Sequence, residues 1–343
     1  MSRNAISVDL SQGNVGIGTT NPSPLPLYVG GNTSFQGDIN ANNLAMFRNK
    51  IINGNFDIWQ RGTSFNITAA NTFTADRWFI NYDGSGATRT TSRQAFTLGQ
   101  TDVPDEPTYF LRANQSVAGS GGNYNTLHQR IESVRTLAGK TITVSFYAKA
   151  DTSRNITFNI NQFFGSGGSP SSTVFIQSPT FSLTTNWNKY QYTLSIPSIA
   201  GKTIGTYGDD FLEISINFPI NTTFTIDIAQ VQVEKGTIAT PFELRPIGLE
   251  LQLCMRYYQI VHFTLYAYVA NLQRFAGAIQ DIPIFPMRIA PLYNILSSNS
   301  SNWTGGTPIA QANATYYARM SALTPPTVVD GFWEGVVSLT SEI

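Results

Sequence analysis

The sequence predicts an all-β protein built as antiparallel sandwiches with one short helix, and three observations carry that expectation. First, residues 141–149 alternate strictly. Ile142, Val144, Phe146 and Ala148 share one face, and Thr141, Thr143, Ser145, Tyr147 and Lys149 share the other. That is the period of a strand with one buried face. Second, short strand-like runs recur throughout, separated by Gly, Pro, Asn and Ser clusters such as Gly84-Ser85-Gly86, Gly119-Ser120-Gly121-Gly122 and Gly165-Ser166-Gly167-Gly168. No helix pattern follows these glycines, so they read as sheet connections and not as phosphate cradles. Third, only 12% of the 343 residues are charged while 41% are hydrophobic. Polarity therefore comes from hydroxyl and amide side chains.

Lys plus Arg and Asp plus Glu stand at 21 each, so no overall basic field draws the chain to nucleic acid or to a membrane surface. No apolar run reaches the ~20 residues that a helical membrane span requires, and membrane insertion is not expected. The single cysteine, Cys254, excludes a disulfide framework within one chain and sits in an apolar run as a buried small hydrophobe. The opening Met1-Ser2-Arg3-Asn4-Ala5 lacks the apolar region of a signal peptide. Synthesis in a cytoplasm is the expectation.

Four segments follow in order. Residues 1–47 hold short β pieces (5–10, 15–17, 25–29, 33–35) with few apolar residues each. Such pieces bury side chains only against copies of themselves or a partner, which points to an intertwining or attachment segment. Within it, Val15 and Ile17 alternate with Gly16 and Gly18 before Thr19-Thr20-Asn21-Pro22 closes the run as a turn. Residues 48–245 read as one antiparallel domain with strands at 141–149, 156–161, 173–176, 190–196, 211–218 and 224–233. Residues 246–259 read as a short linking helix with Pro246 at its first helical position. Leu249 and Leu251 make that helix apolar enough to suggest burial against a neighbouring subunit. Residues 260–343 form a last small β-sandwich, with strands at 263–269, 275–279, 282–285, 292–296, 315–320 and 331–338.

Two sets of residues resemble bacteriophage virion proteins. Asn14-Val15-Gly16-Ile17-Gly18-Thr19-Thr20 followed by Pro22 is similar to a segment of tail fibre and spike proteins. The ordered set Asn53 to Gly62, Ala75-Asp76-Arg77-Trp78-Phe79, Tyr109 to Arg112, Gln129 to Ile131, Leu137 to Lys140, Trp187 to Tyr190 and Ile226 to Glu234 resembles jelly rolls of the carbohydrate-binding-module type on phage tail proteins. The junction Thr240 to Gly248 and Leu253 to Tyr258, and the run Phe285 to Pro291, resemble those proteins too. The last is shorter than the family pattern between its proline and its methionine. The resemblance implies a central jelly roll, a homotrimer, another virion protein held through residues 1–47, a host-surface glycan as receptor, and a place in the virion as a tail or capsid appendage. A structural virion protein without ligand binding, such as a capsid decoration or a baseplate component, is the alternative.

No catalytic pattern stands out, and the chain is not expected to be an enzyme. His128 and His262 lie in different segments, and His128 reads as strand surface. Asp102, Asp105 and Glu106 read as a solvated loop, and Asp209-Asp210 as a turn. No Cys/His spacing suits zinc. A depolymerase using Asp209 or Glu213 has no support beyond the acids themselves. No cofactor is required. The resemblance implies one possible structural Ca2+ at Asp57 and Asp227, acids in otherwise apolar strands whose buried charge needs an answer from a metal, from Arg61 or Arg77, or from backbone donors. Among 22 Phe, 15 Tyr and 5 Trp, Trp59 and Trp78 read as core. Ligand-binding candidates are the aromatics set in polar or Gly-rich loops: Tyr82, Tyr124, Phe163, Phe164, Tyr207 and Trp303.

Overall fold

The computed structural model describes residues 6–9, 14–17, 27–29, 47–268, 278–301, 309–313, 317–322 and 330–342. The chain divides into two compact units, 1–45 and 46–343. In the first unit β1 (Ile6–Asp9), β2 (Asn14–Ile17) and β3 (Leu27–Val29) form one sheet. The central β2 is antiparallel to β1, with Val8 opposite Val15, and parallel to β3, with Val15 opposite Leu27. The strand expected at 33–35 lies outside the described residues.

The second unit opens with a sandwich of two six-stranded sheets. Its strands are β4 (Ser64–Asn66), β5 (Thr72–Phe73), β6 (Phe79–Tyr82), β7 (Thr88–Ala95), β8 (Tyr109–Val117) and β9 (Asn125–Glu132). They continue as β10 (Thr141–Ala150), β11 (Arg154–Phe163), β12 (Val174–Leu183), β13 (Asn188–Ser195), β14 (Phe211–Asn217) and β15 (Phe224–Lys235). The first sheet runs β13-β10-β15-β8-β7-β4 and the second β12-β11-β14-β9-β6-β5, with the strand pairings antiparallel. This is an all-β fold of jelly-roll type. The alternation in 141–149 does what its period requires. Ile142, Val144, Phe146 and Ala148 are fully buried in the core, and Phe146 meets Phe158 of the facing sheet at 4.7 Å between ring centres.

One strand breaks phase. Ile226 and Ile228 enter the core, and so do Val231 and Val233, an odd step that no regular strand allows. A bulge resolves it. Ser145 pairs with Gln232 and Tyr147 with Ala229, so Phe146 faces two residues of β15. Gln230 takes the extra place at φ 49°. Beside this bulge the stretch before β4 docks on β15. Lys50 N donates to Val233 O at 2.8 Å, and Val231 N to Gly54 O at 2.9 Å. A Cβ on Gly54 would lie 2.2 Å from Val231 O, so only glycine permits that approach. Trp59 and Trp78 are buried there.

Helix α1 covers Ile247–Met255, with Pro246 as its N-cap and not its first helical residue. It is shorter than the expected 246–259 because Tyr257 and Tyr258 are buried and the next strand starts at Tyr258. Cys254 is fully buried and Leu249 and Leu251 are half-buried within this chain. Two three-stranded sheets follow: β16 (Tyr258–Tyr268), β21 (Asp330–Thr340) and β18 (Leu292–Ser301) in one, β17 (Ala278–Pro283), β20 (Tyr317–Ala322) and β19 (Ile309–Asn313) in the other. Phe263, Leu265, Met287, Val337 and Leu339 make their small core. Most of the strand expected at 275–279 lies outside the described residues. No helix among the described residues is long and apolar enough to cross a membrane.

Candidate functional site

Strand register assembles a polar and aromatic surface on the outward face of the second sheet. Phe158, Ile160, Leu212, Ile214, Ile216 and Leu127 point into the core, so their sequence neighbours point out. The register then lines up rows across β11, β14 and β9. Phe163 stands beside Phe211 and Glu132, Asn161 beside Glu213 and Arg130, and Asn159 beside Ser215 and His128. β12 extends the second row, since Phe175 pairs with Asn161.

The first two rows line a groove of about 500 Å³. Its apolar wall is the pair Phe163–Phe211, stacked with ring centres 4.7 Å apart. Arg130 lies over Phe211 at 4.4 Å. Arg130 Nε donates to Glu213 Oε2 at 2.8 Å and Asn161 Nδ2 to Glu213 Oε1 at 3.1 Å. Asn161 Oδ1 is buried without a hydrogen-bond partner. Thr173 and Asp209 close one side, and Arg288 and Glu342 from the C-terminal sandwich close another. Asp209 accepts from Ser166 N at 2.8 Å and from its hydroxyl. A Cβ on Gly165 (φ 83°) would lie 2.9 Å from Asp209 Oδ1, so that turn needs glycine. Burial raises the Asp209 carboxyl, and the Ser166 hydrogen bonds bring it below the usual range. Arg288 donates to Gly208 O and Ser341 O, each at 3.2 Å.

Glu213 is the electrostatic centre. Burial raises its carboxyl, but the hydrogen bonds and charges of His128 and Arg130 outweigh burial and hold it at about 2. His128 Nδ1 meets Ser215 Oγ at 2.6 Å and Glu213 Oε1 at 3.2 Å, and Nε2 meets Thr126 Oγ1. These are the residue types of a hydrolytic triad in another arrangement. Serine and glutamate share one ring nitrogen, and Ser215 is 2% exposed. A triad needs the base between them and an accessible hydroxyl. His128 is not strand surface: it is 8% exposed and stacked on Phe79 at 4.9 Å.

A pH effect follows. Glu213 binds its proton more weakly folded than unfolded, so it stabilises the fold above about pH 4.5 and that contribution is lost as pH falls through about 2. The full contribution is roughly 3 kcal/mol. In urea titrations the stability advantage of wild type over Glu213→Gln should shrink between pH 6 and pH 3. A difference that does not change with pH would contradict the assignment.

The sequence candidates scatter. Phe163 lines the groove, and Tyr207, 75% exposed, precedes Asp209 by two residues. Phe164 is 1% exposed, which corrects its reading as a ligand contact: the neighbouring Phe163 takes the outward position and Phe164 packs inside. Tyr82 is half-buried against the core with Arg89 4.0 Å above its ring. Tyr124 is 41% exposed. Tyr82 pairs with Asn125, and Phe211 with Glu132, so these two tyrosines stand about 23 Å along β9 from the groove at ~3.3 Å per residue. Trp303 lies outside the described residues. Phe211 was missed. Phe175, beside Asn161 on the edge strand, is 75% exposed.

Asp227 does not fit the calcium site expected of it. Both Asp227 oxygens accept from Arg112, Nε at 2.7 Å and Nη2 at 2.8 Å, with Lys149 Nζ 3.8 Å away. A guanidinium fork answers that buried charge, supplied by Arg112 and not by Arg61 or Arg77. Asp57 accepts from Asn55 at 2.9 Å, and burial raises its carboxyl. Among the described residues no group of three His, Cys, Asp or Glu could hold a metal ion. Asp102, Asp105 and Glu106 are exposed, as a solvated loop requires. Asp210 instead accepts from Ser133 Oγ and Val134 N at 3.1 and 2.8 Å.

No family model and no curated protein matches the chain. Solved structures similar to it include a CBM4 structure, at 22% identity over 54% of this chain and 98% of that one, TM-score 0.32. The CBM22-2 xylan-binding domain of Paenibacillus barcinonensis Xyn10C is similar at 12% identity over 50% and 98%, TM-score 0.33. The enzymatically active domain of tailspike protein 4 of bacteriophage CBA120 is similar at 17% identity over 62% of this chain, TM-score 0.34, and the match covers 25% of the tailspike chain.

Proposed function

We propose that the chain is a subunit of a bacteriophage fibre or spike that attaches the virion to its host by holding a surface glycan in the Phe163–Phe211 groove. The observation that carries this reading is the ring pair standing beside Arg130, Asn161 and Glu213. Flat apolar rings stack on the C–H faces of a pyranose, and fixed planar polar groups read its hydroxyls. The unpartnered Asn161 Oδ1 is an acceptor that a ligand hydroxyl would satisfy. The attachment role is supported by the sequence resemblance of residues 14–22 and 53–258 to phage tail proteins. In a homotrimer held to another virion protein through residues 1–47, three weak grooves would gain avidity through effective concentration.

In this reading the groove holds its glycan and Glu213 does not act as a general acid. A carboxyl held at about 2 stays ionised at neutral pH, so Glu213 has no proton to give a leaving group. The test is binding of the full-length protein, of known oligomeric mass, to a panel of bacterial cells with and without periodate oxidation of their surface sugars. Saturable binding that periodate abolishes is expected. Failure of a folded protein to bind any cell, or binding indifferent to periodate, overturns the glycan reading. Failure would favour a purely structural virion role.

A further inference from the structure

The outward face of the first sheet carries a second concavity, of about 390 Å³, on the opposite side of the sandwich from the groove. Tyr147 and Phe242 supply its aromatic surfaces, Pro104 and Pro241 its apolar edges, and Asp105, Ser145, Lys189 and Gln230 its polar groups. Register fixes the floor: Lys189, Tyr147 and Ala229 form one row across β13, β10 and β15. Tyr147 packs, with Phe96 and Trp187, against a small cluster of Val103, Phe110 and Ala229.

Three non-glycine residues at this cavity hold the left-handed backbone conformation. Asp105 and Glu106 follow one another at φ 66° and 48°, and Gln230 sits at φ 49° in the β15 bulge. Each such non-glycine residue costs of order 1–3 kcal/mol and persists where surrounding structure compensates, often at a binding site. The strain has a visible product. The bulge turns Gln230 outward, its Nε2 donates to Pro104 O at 2.8 Å, and the loop so pinned holds Asp105 at the rim. Burial, and then the charge of Asp105, raises the Tyr147 phenol above its usual range, so the carboxylate lies close to that ring. Asp105 and Lys189 have no ion-pair partner among the described residues. One acid, one amine, an amide and a hydroxyl around two aromatic rings suit a neutral polyhydroxylated ring, since opposite charges cancel and each group donates to or accepts from a hydroxyl.

We infer that this cavity is a second saccharide site, so that one sandwich holds two sugars on opposite faces. It shares the ligand class with the groove reading but none of its residues. The test is amide and side-chain NMR shift mapping of the full chain titrated with glucose, galactose, mannose and N-acetylglucosamine as probes. The expected result is saturable shifts of Tyr147, Lys189 and the Gln230 side chain for at least one sugar. They should be weakened roughly tenfold by Phe242→Ala and by Asp105→Asn, and unaffected by Phe163→Ala. Asp105→Asn retains a residue tolerant of positive φ, which keeps the test valid if Phe242→Ala fails to fold. Shifts confined to the Phe163 groove would overturn the second site and leave the groove reading standing. Shifts at Tyr147 alone would do the reverse, and the absence of saturable shifts at either face would overturn both.

Discussion

Replacing Arg77 by alanine should cost the second unit about 3 kcal/mol or more, the largest stability loss expected of any single polar substitution in it. Arg77 is 2% exposed. Its Nη1 meets Glu342, its Nη2 donates to Arg130 O at 2.6 Å, and its guanidinium lies 3.5 Å over the Tyr257 ring. Arg61 repeats the motif one tyrosine on, 3.6 Å over Tyr258 and 3.1 Å from the same Glu342. Two arginines of the jelly roll therefore clamp the entry into β16 and Glu342, two residues past the end of β21. Removing the buried Arg77 leaves a void and leaves Glu342 with Arg61 alone to answer its charge. Arg61, 14% exposed at its side chain, should cost less, roughly 1–2 kcal/mol, because water can reach the site it vacates. Urea denaturation of Arg77→Ala and Arg61→Ala measures both. Equal losses under 1 kcal/mol would contradict the clamp. The clamp also matters to the groove, because Glu342 and Arg288 line it.

The sheets were legible from the sequence where alternation is clean. β10 was expected at 141–149 and runs from Thr141 to Ala150. In β14 the same alternation was present but read less fully. Leu212, Ile214 and Ile216 turn in, so Phe211 and Glu213 turn out, yet a run so rich in apolar residues suggests core throughout. Phe163 and Phe164 are adjacent, so one had to face out, and only the register with β14 decides which. The partner of Asp227 was not legible at all. Arg112 lies 115 residues away and meets it because β8 and β15 pair in one register. The β15 bulge was written in the odd step from Ile228 to Val231, a signal visible once both are known to be buried.

Truncating Phe211 to alanine should weaken glycan binding roughly ten- to hundredfold, about 1.5–3 kcal/mol, because Phe163 stacks on this ring and Arg130 lies over it, so the groove wall loses its support. Phe211 carries one face of the stacked pair and the platform on which Arg130 lies, so its loss removes apolar surface and loosens the group that orients Glu213. Phe211 is 9% exposed and lines the groove outside the main core, to which Leu212, Ile214 and Ile216 belong. Because the main core is untouched the variant should still fold, at lower stability, and a cooperative thermal transition would confirm that it reports on binding. The most direct measurement is a glycan array of bacterial surface oligosaccharides probed in parallel with wild type and Phe211→Ala. A set of glycans bound by wild type and lost, by tenfold or more, in the folded variant is the predicted result. Identical binding by the two proteins, or no glycan bound by wild type, would contradict the groove as the receptor site.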